Sequence, residues 1–325
     1  MFRESLNLLT LVLTLKPDGP VLVKSGREAG ADPTLVDMNF VRTHRPGFEK
    51  PTVFLPGSSL KGTLRSYTER VLRTLLGEGP GRCCNPFDLN ERSPACFCGK
   101  RLEKEPDTAK RYRKSCPACR IFGNTVLGGR LAITDAYPPD GALRETNTTE
   151  QRDGVAIDRI LGSVARGPFT LEVVTRGAFQ ATLTLENFEL WQVGLLAIAL
   201  RDLGTGLCPI GFGKTRGLGR MKVTLEHLEV AYPGRFEAQT DGRNYATTLY
   251  PVGAFHPEWQ EADSYGLTEE APIALEDLSP YLLEDEVALG RVAFRLEGDG
   301  RVREVFRRAA ARWQTFVYER REGAG

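Results

Sequence analysis

Between Leu6 and Leu15 apolar and polar positions alternate. Leu9, Leu11, Leu13 and Leu15 fall on one side of an extended chain, which predicts a half-buried first β-strand. A Gly/Asp/Pro-rich loop follows from Lys16 to about Pro51. From Ser58 to Leu76 the period changes: Leu60, Leu64, Tyr67, Val71, Leu75 and Leu76 recur at spacings of mostly three and four, the stripe of an amphipathic helix closed by Gly77. Residues 79–120 are rich in cysteine and have little periodicity. Arg130–Tyr137 and Pro168–Thr175 read as strands, and Ala178–Asn187 alternates Phe179, Ala181, Leu183 and Leu185 as another. Trp191–Leu203 is a second helix, apolar on most of its surface. Gly204–Gly219 is a glycine-rich loop and Arg220–Val230 a strand. After a weakly periodic segment over 232–290 come a strand, Val292–Leu296, and an Arg-rich helix, Val302–Arg321.

The order strand, helix, strands, helix, strand predicts an α+β protein with a ferredoxin-like (RRM-type) core carrying large insertions. The expected organisation is a core domain over residues 1–230, interrupted by an insertion at about 79–123 and a hairpin at about 146–168. An acidic segment and a strand-helix extension over 231–325 are expected to pack on the same core. The Leu6–Leu15 run is broken by Asn7, Thr10 and Thr14 and precedes no small-residue cleavage site. No stretch approaches the roughly 18 continuous apolar residues of a membrane span. A cytoplasmic location with no membrane contact is the expectation.

The 325 residues carry a net charge of only +1, but the charge is segregated. Between Asn244 and Gly290 there are ten acidic residues and no Lys or Arg. All 43 basic residues therefore face the remaining 32 of the 42 acidic ones, a net of +11 over the rest of the chain. A basic body with an acidic appendage suits a polyanionic partner, though segregated charge also marks subunit contacts.

Two motifs give that charge a geometry. Phe54-Leu55-Pro56-Gly57-Ser58-Ser59-Leu60-Lys61-Gly62 is a helix start in which Ser58 or Ser59 can cap free N–H groups, with Lys61 and Arg65 four apart on one face. Hydroxyls, cations and the positive end of a helix dipole together make a phosphate cradle, although an ordinary solvated helix face reads the same way. The second motif is Gly211-Phe212-Gly213-Lys214-Thr215-Arg216-Gly217-Leu218-Gly219-Arg220, four glycines with three cations among them and no acidic residue nearby in sequence. Glycine lets a backbone approach a ligand closely and aim successive N–H groups at an anion. A Walker A loop would need glycine at Cys208, and a dinucleotide fingerprint would need a helix after the glycines where a strand is expected. A tight structural turn is the remaining alternative.

Six of the seven cysteines, Cys83, Cys84, Cys96, Cys98, Cys116 and Cys119, lie within 37 residues. In a cytoplasmic chain this clustering favours structural Zn²⁺ over disulfides or redox thiols. Cys116-x-x-Cys119 is a chelating knuckle. Cys84 and Cys98, each preceding polar turn residues (Asn85-Pro86 and Gly99-Lys100), are the favoured partner pair. Cys83 rivals Cys84, and Cys96 is the weaker alternate. A closed four-thiolate site has no open position for substrate and implies no catalysis. Cys208, beside Pro209, reads as a buried thiol.

The PGSSLKGxLR helix start and the glycine loop, in this order, resemble the RAMP superfamily (repeat-associated mysterious proteins). The closest likeness is to the backbone-filament subunits of type III CRISPR effector complexes, in a variant with a Cys-rich insertion ahead of Cys116-Pro117-Ala118-Cys119-Arg120-Ile121-Phe122-Gly123. The likeness runs from about Leu6 to Val230, and residues beyond match nothing recognisable.

The resemblance implies a protein of antiviral defence that polymerises along a guide RNA. Its partners would be that guide, a complementary target RNA, further copies of itself and other CRISPR effector subunits. Ser58, Ser59, Lys61, Arg65, Gly211, Gly213, Lys214, Thr215, Arg216, Gly217, Gly219 and Arg220 would hold phosphates. Thr146–Pro168 is similar to the family's thumb, a hairpin that wedges into the guide–target duplex. Val155 and Ile157 suit the wedge, and Arg152, Arg159 and Arg166 the flanking phosphates. The loop ahead of the helix is where the family places its target-cutting aspartate. Asp37, followed by Arg42, is similar to that segment, with Asp32 as runner-up. Cleavage by active members depends on a divalent metal, Mg²⁺ or Mn²⁺, and some members bind without cutting. Both aspartates could instead be turn residues, and His44 could assist proton transfer or be incidental. Two other readings remain: a guide-precursor-processing nuclease of the superfamily, which would typically use a histidine near the N-terminus, where none precedes His44, and a zinc-dependent nucleic-acid-binding module outside CRISPR systems.

Overall fold

The computed structural model describes residues 4–25, 38–45, 49–255 and 265–322. At its centre is the strand β1 (Leu8–Pro17), where Leu9, Leu11, Leu13 and Leu15 are all buried as the alternation requires. Helix α1 (Gly57–Leu76) follows, then β2 (Leu131–Ile133), a hairpin of β3 (Thr149–Ile157) and β4 (Val164–Val174), and β5 (Phe179–Glu186). Helix α2 (Leu190–Gly204) leads through the glycine loop into β6 (Met221–Pro233). The chain closes with β7 (Tyr281–Leu282), β8 (Arg291–Glu297) and the long helix α3 (Asp299–Glu322).

The main sheet has the order β7-β8-β6-β1-β5-β2 and every pair in it is antiparallel. The adjacent strands β6-β1-β5-β2, with α1 and α2, follow the β-α-β-β-α-β path of a ferredoxin-like fold, with the β3–β4 hairpin inserted between the second and third of those strands in chain order. Register is held by apolar pairing across β1, where Leu11 lies opposite Leu183 on one side and Leu228 on the other. A one-residue slip would turn this whole leucine row to the wrong face.

Several elements differ from the sequence expectation for identifiable reasons. The strand expected over Arg130–Tyr137 is regular only over Leu131–Ile133, after which Ala136 and Tyr137 bridge singly to Leu55 and Gln180. The backbone turns aside there because Gly57 packs against it. A Cβ on Gly57 would lie 2.3 Å from the Ile133 carbonyl oxygen. The strand expected from Pro168 begins instead at Val164, so one continuous strand runs from the hairpin tip into the body. The serine cap is also corrected. Ser58 and Ser59 are exposed and make no capping bond, and the Gly57 N–H donates to Asp135 Oδ1 at 2.7 Å.

The C-terminal third joins the same sheet. Strand β8 pairs with β6 from Arg291 to Glu297, and α3 crosses α2 closely at Gly194, where a Cβ would meet the Ala309 carbonyl at 2.4 Å. Trp191 stacks on Phe316 with ring centroids 4.1 Å apart, extending the apolar layer below the sheet. Among the described residues, no helix is long and apolar enough to cross a membrane.

Candidate metal centre and nucleic-acid interface

The insertion after α1 folds around sulfur. Cys98 opens one short helix (Cys98–Arg101) and Cys116 caps another (Pro117–Phe122), its Sγ accepting from the Cys119 N–H at 3.5 Å. These turns bring Cys84, Cys98, Cys116 and Cys119 together, all buried, with the four sulfurs within 4.8 Å of one another. Cys84 Sγ is 3.8 Å from that of Cys119 and 3.6 Å from that of Cys116. A tetrahedron with Zn–S bonds of about 2.3 Å has edges of about 3.8 Å, so the cluster fits a metal such as zinc. Hydrogen bonds from the neighbouring thiols, Cys119 first, hold Cys116 well below the ordinary thiol range. Cys83 and Cys96 are buried outside this quartet. The Cys83 Sγ faces the carbonyls of Glu69 and Cys84, and the Cys96 Sγ faces the Phe97 carbonyl. Two arginines address the cluster, Arg101 Nη2 at 3.5 Å from Cys98 Sγ and Arg65 Nη2 at 3.7 Å from Cys119 Sγ.

The two cations at the helix start therefore face inward. Arg65 also donates to Glu69 Oε1 at 2.8 Å and to the Gly123 carbonyl at 3.0 Å, while Lys61 Nζ donates to the Leu131 carbonyl at 2.7 Å. Partial burial, with Arg65 nearby, lowers the Lys61 pKa. This face is partly covered by the insertion and by β2, and both side chains remain half-buried.

The glycine loop is built differently. Gly211, Gly213, Gly217 and Gly219 all have positive φ. Two of these glycines are also required by space, since a Cβ would come within 2.3 Å of the Leu22 oxygen at Gly211 and 2.1 Å of the Ile210 oxygen at Gly219. The Phe212 N–H donates to Leu22 and the Gly219 N–H to Pro20, each through the carbonyl. The loop is thereby stitched to the chain leaving β1, and Lys214, Thr215, Arg216 and Gly217 are exposed. Arg216 and Lys24 both sit over the Phe212 ring, at 4.9 and 5.0 Å from its centroid. Lys24 escaped the sequence reading because it lies 188 residues from Phe212, inside a polar loop with no motif of its own. Arg220 does have an acidic neighbour: Asp18 lies 3.9 Å from it and 3.1 Å from Lys222.

The β3–β4 hairpin stands away from the sheet. Arg152, Val155, Ile157 and Arg159 are exposed, and the apolar surface continues through Ile160 (92% exposed), Leu161 and Val164. Water-exposed branched residues in a row are costly to keep unless something covers them. The tip is nonetheless ordered, because Asp158 Oδ1 accepts from the Ile160 and Leu161 N–H groups at 2.7 and 2.8 Å. Arg166 lies opposite Ala156 in the hairpin register. Midway along the hairpin, Phe169 packs over Gly154, where a Cβ would be 2.5 Å from the ring.

Asp32 and Asp37 lie outside the described residues. The segment after them is anchored. Arg42 forms a two-pronged ion pair with Glu172 of β4, and His44 is exposed. Arg42 is thus committed to a carboxylate of the hairpin.

The model of the RAMP superfamily matches residues 14–222, from within β1 to the start of β6, and the chain belongs to that superfamily. It is a CRISPR-associated RNA-binding protein in this broad sense. No curated protein matches it.

Proposed function

We propose that this protein is a guide-binding backbone subunit of a type III CRISPR ribonucleoprotein, with a structural zinc and with metal-dependent cleavage of the guide-paired target RNA at Asp37, Asp32 being the second candidate. The observation that carries the reading is the hairpin: an ordered projection whose tip is apolar and whose flanks carry Arg152 and Arg159. Wedges of this kind unstack bases while cations hold the adjoining phosphates. The exposed Lys214-Thr215-Arg216 turn offers a second basic surface that binds the sugar-phosphate backbone without reading sequence. The four-thiolate centre has no open ligand position and serves the fold of the insertion.

The test is to purify the protein from its host, sequence the RNA that comes with it, and challenge the assembled complex with a labelled complementary RNA. Guide-like RNA of uniform origin and regularly spaced products that vanish with EDTA are expected. Asp37→Asn should stop cutting and leave target affinity nearly intact, because a group acting in the transition state changes rate and not ground-state binding. Loss of cutting in Asp32→Asn alone would move the site to Asp32. Guide binding without cutting in the wild type would leave a purely structural subunit.

A further inference from the structure

Glu172 occupies an unusual position for a carboxylate. It lies on β4 at the base of the hairpin, its side chain is 9% exposed, and it gathers donors from two separate segments. Its Oε2 accepts from the Phe40 N–H at 2.8 Å and from Arg42 Nη1 at 2.8 Å. Its Oε1 accepts from Arg42 Nη2 and from Thr149 Oγ1, at the start of the other hairpin strand, at 2.8 Å. The backbones are joined at the same place, since Met38 N–H donates to the Thr170 carbonyl at 3.2 Å and Glu172 N–H to the Met38 carbonyl at 3.0 Å. On its other side the segment is tied to the chain leaving β1, with Val41 N–H donating to the Val23 carbonyl at 2.9 Å.

A buried carboxylate persists only when its charge and lone pairs are satisfied, and here all the donors come from the two things it joins. One is the hairpin, through both of its strands. The other is the segment Met38–Arg42, which directly follows Asp37 in the chain. We propose that Glu172 is a positioning residue that fixes Met38–Arg42, the segment directly behind Asp37 in the chain, to the base of the hairpin. This rests on the cleavage reading above. Arg42 on this view is half of a clamp and does not touch the scissile phosphate. Seating the hairpin in the duplex then sets the place of Met38, the residue joined to Asp37, and displacements of about 1 Å around a reacting centre are worth on the order of a hundredfold in rate.

The experiment compares wild type, Glu172→Gln, Glu172→Asp and Arg42→Gln in the assembled complex. It measures single-turnover cleavage, target affinity, and hydrogen exchange at the Phe40 amide. Glu172→Gln keeps the shape and removes the charge that holds Arg42. The expected result is cleavage slowed by about tenfold or more, target affinity within about twofold of wild type, and faster exchange at Phe40. Glu172→Asp should recover part of the rate, and Arg42→Gln should behave like Glu172→Gln. Wild-type cleavage by Glu172→Gln overturns the proposal, whatever its exchange. Equal losses of cleavage and affinity also overturn it, by reducing Glu172 to a fold-holding role. If the wild-type complex does not cut, the cleavage reading fails and the proposal falls with it as a rate effect. The exchange data then report separately whether the clamp itself exists.

Discussion

Arg65, on the first turns of α1, directs one guanidinium nitrogen to 3.7 Å from the sulfur of Cys119. The helix that begins the core and the cysteine-rich insertion are therefore one electrostatic unit. With a metal bound, negative charge on the thiolates would be balanced by a cation from the core, and the Glu69 carboxylate holds that cation in place at 2.8 Å. Outer partners of this kind orient metal ligands and tune their basicity.

One zinc per chain is the first expectation, read by elemental analysis of protein prepared without chelator. Arg65→Met should weaken zinc retention by about 10- to 100-fold in a competition with a chromophoric chelator, the usual cost of losing an outer partner. Cys119→Ser should do more and should loosen residues 84–123 first, since metal binding and local folding are coupled. A zinc content of zero in the wild type would refute the centre.

The exposed cations of the glycine loop should be felt in salt dependence. Lys214→Ala and Arg216→Ala should each weaken RNA binding across all sequences and flatten the log–log salt slope by about one unit or less. Lys61→Ala is expected to act on stability instead, because its ammonium group is bonded to the Leu131 carbonyl. An unchanged salt slope in the double variant of Lys214 and Arg216 would remove the loop from the interface.

Replacing Ile160 and Leu161 with Ser should leave the thermal midpoint almost where it was. Exposed sites of this kind change stability by about 0.5 kcal/mol or less, and both side chains are more than three-quarters exposed. Binding of the target to the guide-loaded complex should weaken while guide binding stays put. Fluorescence of 2-aminopurine placed in the guide–target duplex would report the lost unstacking.

A pH dependence follows from Glu270. Its carboxylate oxygens accept from the Leu190 and Trp191 N–H groups at the start of α2, at 2.6 and 2.7 Å. Burial first, then the charge of Glu189, push its pKa up from 4.5 to about 8. With the folded value above the unfolded one, the native state holds the extra proton between these limits. Its contribution is complete below about pH 4.5 and is lost as pH rises through about 8. Thermal melts at pH 5 and pH 8 should show the wild type losing more stability than Glu270→Gln over that interval. Parallel behaviour of the two would mean that the proton is not taken up there.

How far the structure was legible in the sequence can be followed residue by residue. Leu9, Leu11, Leu13 and Leu15 announce a strand because burial on one face imposes a period of two, and the α1 stripe announces a helix in the same way. The clustering of cysteines and the turns after Cys84 and Cys98 point to the quartet that converges, although spacing alone could not separate Cys84 from Cys83. The partners of the helix start were hidden. Asp135, which replaces the serine cap, is 78 residues from Gly57, and the Leu131 carbonyl that holds Lys61 is 70 residues away. Helical periodicity separates a polar face from an apolar one but does not reveal that another segment covers part of the polar face. Glu172 was invisible for a related reason: an acid within an alternating strand looks solvent-facing until a loop from 130 residues earlier is laid against it.

The addition of β8 beside β6 shapes what this molecule can join. Without it, β6 would present a thirteen-residue row of backbone donors and acceptors to any passing extended chain. With it, the six-stranded sheet ends in the two residues of β7 on one side and the three of β2 on the other. Edges that short cannot template a foreign strand. Among the described residues the main sheet therefore offers a neighbouring copy of this chain little backbone to pair with, and any contact between copies along this sheet would fall mainly to side chains.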